Sequence, residues 1–475
     1  MTLVSFKKTF FKNLITFGGY NYATQFIRFA SMIILSRLLL PKEYGFVALI
    51  TVFTDFIRLF TDSGISFAVI RSEYKHSYYK AVHSISIFIG IALVLLMVGL
   101  SFPIAYFYGN KALIIPTMVY SLVFIFKTLR VVPYGIHAKK LDFNSIGKAN
   151  LIASVVMILG MIIMAALGFS YWSLIVPVIL MEAIDYYLLN RKLKIRPLFK
   201  LTYLKVTYKK TKSLIGNLSG FNAINYWSRN GDNLIIGKLY GEHSLGIYNR
   251  GYQFLNLALN LITGIFGAVL YPSLQKLKNE GGNVNKEYTS ILGVISIISL
   301  SFAVPLILIP KWFTLVLMGK DWLEVAELFP YFGVLIMGQT LISTGGSIFI
   351  LYKKEKVLLM LGIIQSIALV SGIVIGALIS VKMVIICYTI NYLLIVVPAT
   401  LYLGFYKSFK YTFKEILLFW GPKMIAYLGL LYAIYFKMPV LTYSFLAYLI
   451  FHIFYFQRGE LGQLILFTKN KLLKR

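Results

Sequence analysis

Acidic residues are what this sequence has least of for its size. Its 475 residues include 17 Asp and Glu against 47 Lys and Arg, a formal net charge of +30. Charge of either sign is scarce, at 13% of residues against about 25% in a soluble domain. A single cysteine, Cys387, sits inside an apolar run and excludes an intrachain disulfide. The five histidines, His76, His83, His137, His243 and His452, are scattered and show no metal-ligand spacing. There is no phosphate-cradling glycine loop and no nucleophile triad, so no cofactor and no hydrolytic chemistry is implied. The first apolar segment has full spanning length and lacks a small-residue cleavage site, which reads as a retained span and not as a signal peptide.

What is present is apolar surface. Hydrophobic residues make up 59% of the chain, and the mean hydropathy is +0.77. The expected class is an all-α integral membrane protein. At about 20 apolar residues per crossing, the sequence divides into fourteen spans near 15–39, 44–70, 82–106, 112–136, 146–168, 171–190, 213–238, 247–274, 288–310, 323–352, 357–380, 383–404, 415–436 and 439–457. Alternate loops hold 32 of the 47 Lys and Arg on the side of the N-terminus and eight on the other, with seven inside spans. That bias is the positive-inside pattern and places both termini in the cytoplasm. The basic residues are therefore topology signals, and no nucleic-acid partner is expected.

The chain also repeats. A shift of 201 residues, without a gap, carries Gly19 to Gly220, Asn21 to Asn222, Arg28 to Arg229, Leu38 to Leu239, Gly45 to Gly246 and Phe53 to Phe254. Six spans precede the second copy, so both copies run in the same direction. The expectation is two six-helix lobes related by a pseudo-two-fold axis along the membrane normal, plus two extra C-terminal helices. The boundaries are an N-lobe at 1–190, a basic cytoplasmic inter-lobe loop at 191–212, a C-lobe at 213–406, helices thirteen and fourteen at 407–457, and a basic cytoplasmic tail at 458–475.

Polar residues fall in stripes on the first two helices of each copy. Span one carries Asn21, Gln25 and Arg28; span two carries Thr51, Asp55, Arg58 and Asp62. Span seven carries Asn222, Asn225, Arg229 and Asp232; span eight carries Asn249, Gln253, Asn256, Asn260 and Thr263. Each set occupies one helical face. Such a face must point to protein or to a watery cavity, and a charge at bilayer depth normally has a task. A plain helix-to-helix packing role is the competing reading for any single Asn or Thr. The expected substrate-binding set is Arg28, Arg229 and Arg58 with Asn21, Gln25, Asn222, Asn225, Asn249, Gln253, Asn256 and Asn260. Asp55, Asp62 and Asp232 are the expected ion-coupling residues, and Asp55 and Asp62 offset part of the burial cost of Arg58 as Asp232 does for Arg229. Arg28 has no acid on its own face, which leaves it for a ligand. Lys127 and Arg130 lie toward the cytoplasmic end of span four, within snorkelling reach, with a substrate role as the alternative. Glu182 and Asp185 share a face at the cytoplasmic end of span six and read as a solvated helix end, with coupling to a cation as the alternative, and Arg250 reads as interfacial at the external end of span eight. Lys423 follows Gly421-Pro422, where a kink is expected.

Several of these residues lie in segments that resemble a known family. Ser36-Arg37-Leu38-Leu39-Leu40-Pro41-Lys42-Glu43-Tyr44-Gly45 resembles the end of the first helix in bacterial polysaccharide exporters, the Wzx-type O-antigen flippases. Asp62-Ser63-Gly64-Ile65 resembles the end of their second helix. Arg229-Asn230-Gly231-Asp232, with Ile236-Gly237 and Leu245-Gly246-Ile247-Tyr248, resembles the start of their second lobe. The resemblance covers most of residues 10–460. It implies the polysaccharide transporter family of the multidrug/oligosaccharidyl-lipid/polysaccharide exporter superfamily, in the bacterial inner membrane. It also implies alternating access of two lobes around a cationic cavity, and an undecaprenyl-diphosphate-linked oligosaccharide as substrate, for O-antigen, capsule or exopolysaccharide. A polymerase and other polysaccharide-assembly proteins are the implied partners. A cation-coupled multidrug exporter and a peptidoglycan lipid-precursor flippase of the same superfamily stay open. A polysaccharide polymerase or ligase, an enzyme, fits less well. Such enzymes work from a large external loop, and the longest here is about fourteen residues, near 310–323.

Overall fold

The computed structural model describes residues 3–62, 65–66, 69, 76–198 and 201–456, with side chains undescribed at 3–15, 17, 62, 76–77, 201–225, 227–229, 262–269, 272 and 456. Helices dominate the described residues, and no strand occurs among them. Ten helices among the described residues are long and apolar enough to cross a membrane. In a bilayer core the backbone can satisfy its own hydrogen bonds only as helix or closed barrel, and this composition leaves helix. The chain is a multi-pass membrane protein. The helix at the N-terminus and the long helix at mid-chain, which carry the polar stripes of spans one, seven and eight, are not among the ten.

The chain forms two compact units, Met1–Gly246 and Ile247–Arg475. The first contains α1 (Leu3–Leu38), α2 (Pro41–Asp62), α3 (His76–Tyr108), α4 (Ile114–Tyr120), α5 (Val123–Lys139), α6 (Phe143–Ala166) and α7 (Trp172–Leu193). It also contains the first part of α8 (Leu201–Asn279). Helix α6 packs between α1 and α7, and α5 packs between α3 and α7, with α2 against α3 and α5. One core layer joins Ile57, Met97, Ile104 and Phe124; another joins Ile65, Val82, Val131, Val132 and Ile136 with Ile195 of the segment after α7. That segment is pinned by Asn190, whose amide accepts from Ile195 N at 3.0 Å, and by Leu198 N donating to Ser84 Oγ at 2.7 Å.

Helix α8 is broken at Gly241, where φ is 77° and ψ is −175°. Only glycine adopts that conformation without steric cost, so two helical segments meet there. They match the expected separation of spans seven and eight. Just past the break, α8 meets the start of α2 with no room for side chains. A Cβ on Gly45 would lie 1.5 Å from the Glu242 carbonyl oxygen, and one on Gly246 would lie 2.0 Å from that of Pro41. The shift of 201 that relates Gly45 to Gly246 also relates Pro41 to Glu242. The contact is therefore reciprocal: each copy offers its glycine to the same carbonyl of the other. Lys42 Nζ reaches Glu242 Oε1 at 3.2 Å across it.

The second unit is organised on α11 (Val325–Ser343), which follows α9 (Val284–Leu308) and α10 (Pro310–Leu317). Phe329, Phe332, Val334, Leu335 and Leu341 of α11 are fully buried, and so is Trp322 just before it. A helix apolar over most of its faces must sit inside its unit. Around it lie α12 (Gly345–Leu351), α13 (Glu355–Ala377), α14 (Val381–Asn391) with its continuation to Ser408, α15 (Phe413–Tyr435) and α16 (Pro439–Phe456). The continuation of α14 is wound as a wide π-type helix at Tyr392–Val396 and Thr400–Ser408. Helix α15 starts with a capping box, Thr412 accepting from Glu415 N at 3.2 Å and Glu415 accepting from Thr412 N at 2.7 Å. The expected tail at 458–475 lies outside the described residues.

Candidate functional site: a buried charge cluster in the first unit

Three helices bring acids and bases together inside the first unit. Helices α5 and α7 each present two charged residues three apart, Lys127 and Arg130 on one, Glu182 and Asp185 on the other. Residues three apart share a helical face, so the two pairs meet in register. Lys127 Nζ lies 3.5 Å from Glu182 Oε1, and Arg130 Nε is paired with Asp185. Arg58 of α2 joins them, its guanidinium 3.5 Å from both Glu182 Oε1 and Asp55 Oδ1. The guanidinium of Arg130 also lies 5.0 Å above the Tyr134 ring.

Two expectations are corrected here. Glu182 and Asp185 are no solvated helix end; they are 5% and 2% exposed. Two buried carboxylates without cations would be too costly to ionise, and Lys127, Arg58 and Arg130 provide the compensation. The sequence held a usable signal, namely the equal i, i+3 spacing of opposite charges on two apolar helices. Arg250 is likewise not interfacial. It is 3% exposed within the second unit, donates to Gln253 Oε1 at 2.9 Å and lies 4.8 Å over the Trp322 ring.

Arg28 of α1 sits within electrostatic reach of Arg58 and Glu182. Its Nη2 donates to Ser154 Oγ of α6 at 3.5 Å. Among the described residues no carboxylate pairs with it. The group thus contains four cations, Arg28, Arg58, Lys127 and Arg130, against three carboxylates, Asp55, Glu182 and Asp185. One positive charge is left over, and it belongs to the residue with the weakest protein partner. Such a group can hold an anion with charge-assisted hydrogen bonds in a fixed fork.

Beside the cluster lies a cavity of about 320 Å³. Asn21 reaches it from α1, Thr61 from α2, Lys127, Arg130 and Tyr134 from α5, and Asn150 from α6. Thr61, Tyr134 and Asn150 carried no expectation from the sequence. Gln25 is half-buried on α1. Elsewhere, Asp232 is 1% exposed and accepts from Asn233 N at 2.8 Å. In the second unit Gln253 donates to Asn249 Oδ1 at 3.2 Å, while Asn256 and Asn260 are exposed. The side chains of Arg229, Asn222, Asn225 and Asp62 lie outside the described residues. Lys423 is fully buried in α15, donating to the Phe419 carbonyl at 2.9 Å.

A sequence profile of the family described as polysaccharide biosynthesis protein matches residues 34–327. The chain belongs to this family. That agrees with the resemblance of the helix-end segments. Among individual proteins, 310 residues are 24% identical to the teichuronic acid biosynthesis protein TuaB of Bacillus subtilis, over 62% of this chain and 61% of that one. A stretch of 360 residues is 21% identical to the succinoglycan biosynthesis transport protein ExoT of Rhizobium meliloti, over 74% and 71% of the two chains. The chain spans less than two thirds of the length of TuaB and of a Klebsiella pneumoniae membrane protein in the cps region, 61% and 62%. In fold, the chain is similar to the lipid II flippase MurJ in an inward closed conformation. The TM-score is 0.70 at 15% identity, covering 94% of this chain and 99% of MurJ. It is also similar to an inward-facing multidrug resistance MATE transporter, with a TM-score of 0.62 at 14% identity over 80% and 94% of the two chains.

Proposed function

We propose that this family member is a flippase for undecaprenyl-diphosphate-linked oligosaccharide, moving the repeat unit of a surface polysaccharide across the inner membrane by alternating access. The observation that carries the reading is the unpaired surplus of Arg28 beside an otherwise neutralised cluster. A diphosphate crossing a low-dielectric interior needs fixed positive charge, and bidentate guanidinium contacts provide it. Arg229, its counterpart in the second copy, is the second proposed ligand, and Arg58, within electrostatic reach of Arg28, the third. The Asn and Gln stripes, Asn21, Gln25, Asn222, Asn225, Asn249, Gln253, Asn256 and Asn260, suit the sugar hydroxyls. The lipid tail stays in the bilayer. The protein is a transporter and not an enzyme, and its implied partners are the polymerase and other assembly proteins.

Fourteen crossings with both termini cytoplasmic belong to this reading; the ten apolar helices support it, with α1, the two segments of α8 either side of Gly241 and the shorter Pro439–Phe456 helix as the proposed remaining four. Asp55, Asp62 and Asp232 are the proposed ion-coupling acids. A cationic-drug exporter is disfavoured because the carboxylates of the cluster are already occupied by cations.

Removing one charged hydrogen-bonding group costs about 1.5–3 kcal/mol, a loss of roughly tenfold to over a hundredfold in affinity. Arg28→Ala and Arg229→Ala are each expected to reduce surface polysaccharide strongly at normal membrane abundance, with Arg→Lys recovering only part. Normal export by a well-expressed double alanine variant would place the diphosphate elsewhere.

A further inference from the structure

The cavity beside the cluster has its own chemistry, distinct from that of Arg28. Both of its cations are already matched, Lys127 by Glu182 and Arg130 by Asp185. It therefore offers an anion no surplus charge. What it offers instead is a set of unspent polar groups. The amides of Asn21 and Asn150 are engaged by no described residue, and each supplies an acceptor and two donors. Thr61 donates its hydroxyl proton to the Arg58 carbonyl at 2.7 Å, which leaves its oxygen free to accept. Val131 and Ile146 add a small apolar surface between these groups. An alternation of hydrogen-bonding groups with C–H patches is the complement of a pyranose ring, whose hydroxyls ring an apolar face. The volume of about 320 Å³ is at the lower end of small-molecule sites, which run from ~300 to 1,000 Å³. It corresponds to about ten waters at ~30 Å³ each, room for a sugar ring and not for a long chain.

Position adds to the argument. Asn21 and Arg28 share a face of α1 and are seven residues apart, about 10 Å of helix rise. Thr61 follows Arg58 on α2 by one turn. A head group with its diphosphate at Arg28 can thus extend its sugar along α1 toward Asn21.

We infer that the cavity between Asn21, Thr61, Tyr134 and Asn150 is a subsite for an uncharged sugar ring, the one attached next to the diphosphate. This rests on the flippase reading above and assigns the sugar, not the phosphate, to the ion-paired side of the cluster. Asn150, on a helix that no polar stripe marked, is its specificity residue. The neutral ion pairs select against an acidic sugar, since an entering carboxylate meets Glu182 and Asp185 with no free cation.

The test uses the full chain in lipid nanodiscs, titrated with undecaprenyl diphosphate and with the same lipid carrying N-acetylglucosamine or galacturonate. The N-acetylglucosamine lipid is expected to bind at least tenfold more tightly than the bare diphosphate lipid. Asn150→Ala should remove that advantage and leave the bare lipid's affinity unchanged, which also certifies that the variant is folded. Asn21→Ala should act in the same direction, and Arg28→Ala should weaken all three lipids. Equal binding of bare and sugar-bearing lipid would overturn the subsite while the flippase reading stands. Preference for the galacturonate lipid would overturn the neutral assignment. Binding of no lipid would overturn the flippase reading and the subsite with it.

Discussion

The two copies of the sequence repeat share their glycines and differ in their charges. The shift that superimposes Gly45 on Gly246 carries Asp55 to Asn256 and Arg58 to Leu259. In the first unit the position of Arg58 belongs to a charge cluster spread over α2, α5 and α7. In the second unit the central helix α11 is mostly apolar and buried, and the polar residues Arg250, Gln253 and Asn249 form a short local chain. Gly45 and Gly246 both serve backbone contact. The buried carboxylates of the first unit sit where cations of other helices meet them. The buried cations of the second unit, Arg250 and Lys423, instead meet a neutral amide, a backbone carbonyl and aromatic rings.

The largest expected effect comes from breaking the charged half. Glu182→Ala leaves Lys127 without its carboxylate and Arg58 with Asp55 alone; with both cations partly exposed, the cost falls below that of a fully buried lone charge, to about 1–3 kcal/mol. Thermal unfolding in detergent should show a marked drop. The paired replacement Lys127→Met with Glu182→Leu should recover part of it, because no lone charge is left on that pair. If Glu182→Ala unfolds like the parent protein, the cluster is hydrated and its burial is not what distinguishes the first unit.

A middle-sized effect tests the shared glycines. Gly45→Ala and Gly246→Ala each drive a methyl group against a backbone carbonyl that cannot rotate away, at 1.5 Å and 2.0 Å. Overpacking of this kind costs about 1–3 kcal/mol. The two variants should be destabilised alike, because the contact is reciprocal. Gly99→Ala, with nothing within 4 Å, is the control and should be near neutral. A large effect at Gly45 with none at Gly246 would show that the contact is not reciprocal.

The smallest effect belongs to the second unit. Thr412→Ala removes the cap of α15 at about 1 kcal/mol. The Thr412 backbone and hydroxyl both donate to the Glu415 carboxylate, at 2.7 and 2.8 Å. In a double-mutant cycle the costs of Thr412→Ala and Glu415→Ala should therefore fall short of adding. Strictly additive costs would mean that Glu415 does not take part in the cap.

The sequence by itself determined the class and the family. The class follows from a quantity that adds along the chain, apolar length against bilayer thickness, and the family from the helix-end segments 36–45, 62–65 and 229–248. It also singled out Arg28, because a charge at mid-span stands out on one helix. It could not decide which charges meet. Glu182 and Asp185 read as a helix end because their cations lie 55 residues earlier on another helix, and only packing of α5 against α7 brings Lys127 and Arg130 to them. Arg250 read as interfacial because Trp322 is far away in sequence. The cavity with Asn150 had no linear signature, since its lining comes from four helices, α1, α2, α5 and α6. Burial and ion pairing are properties of neighbours in space, and the tertiary structure alone supplies those neighbours.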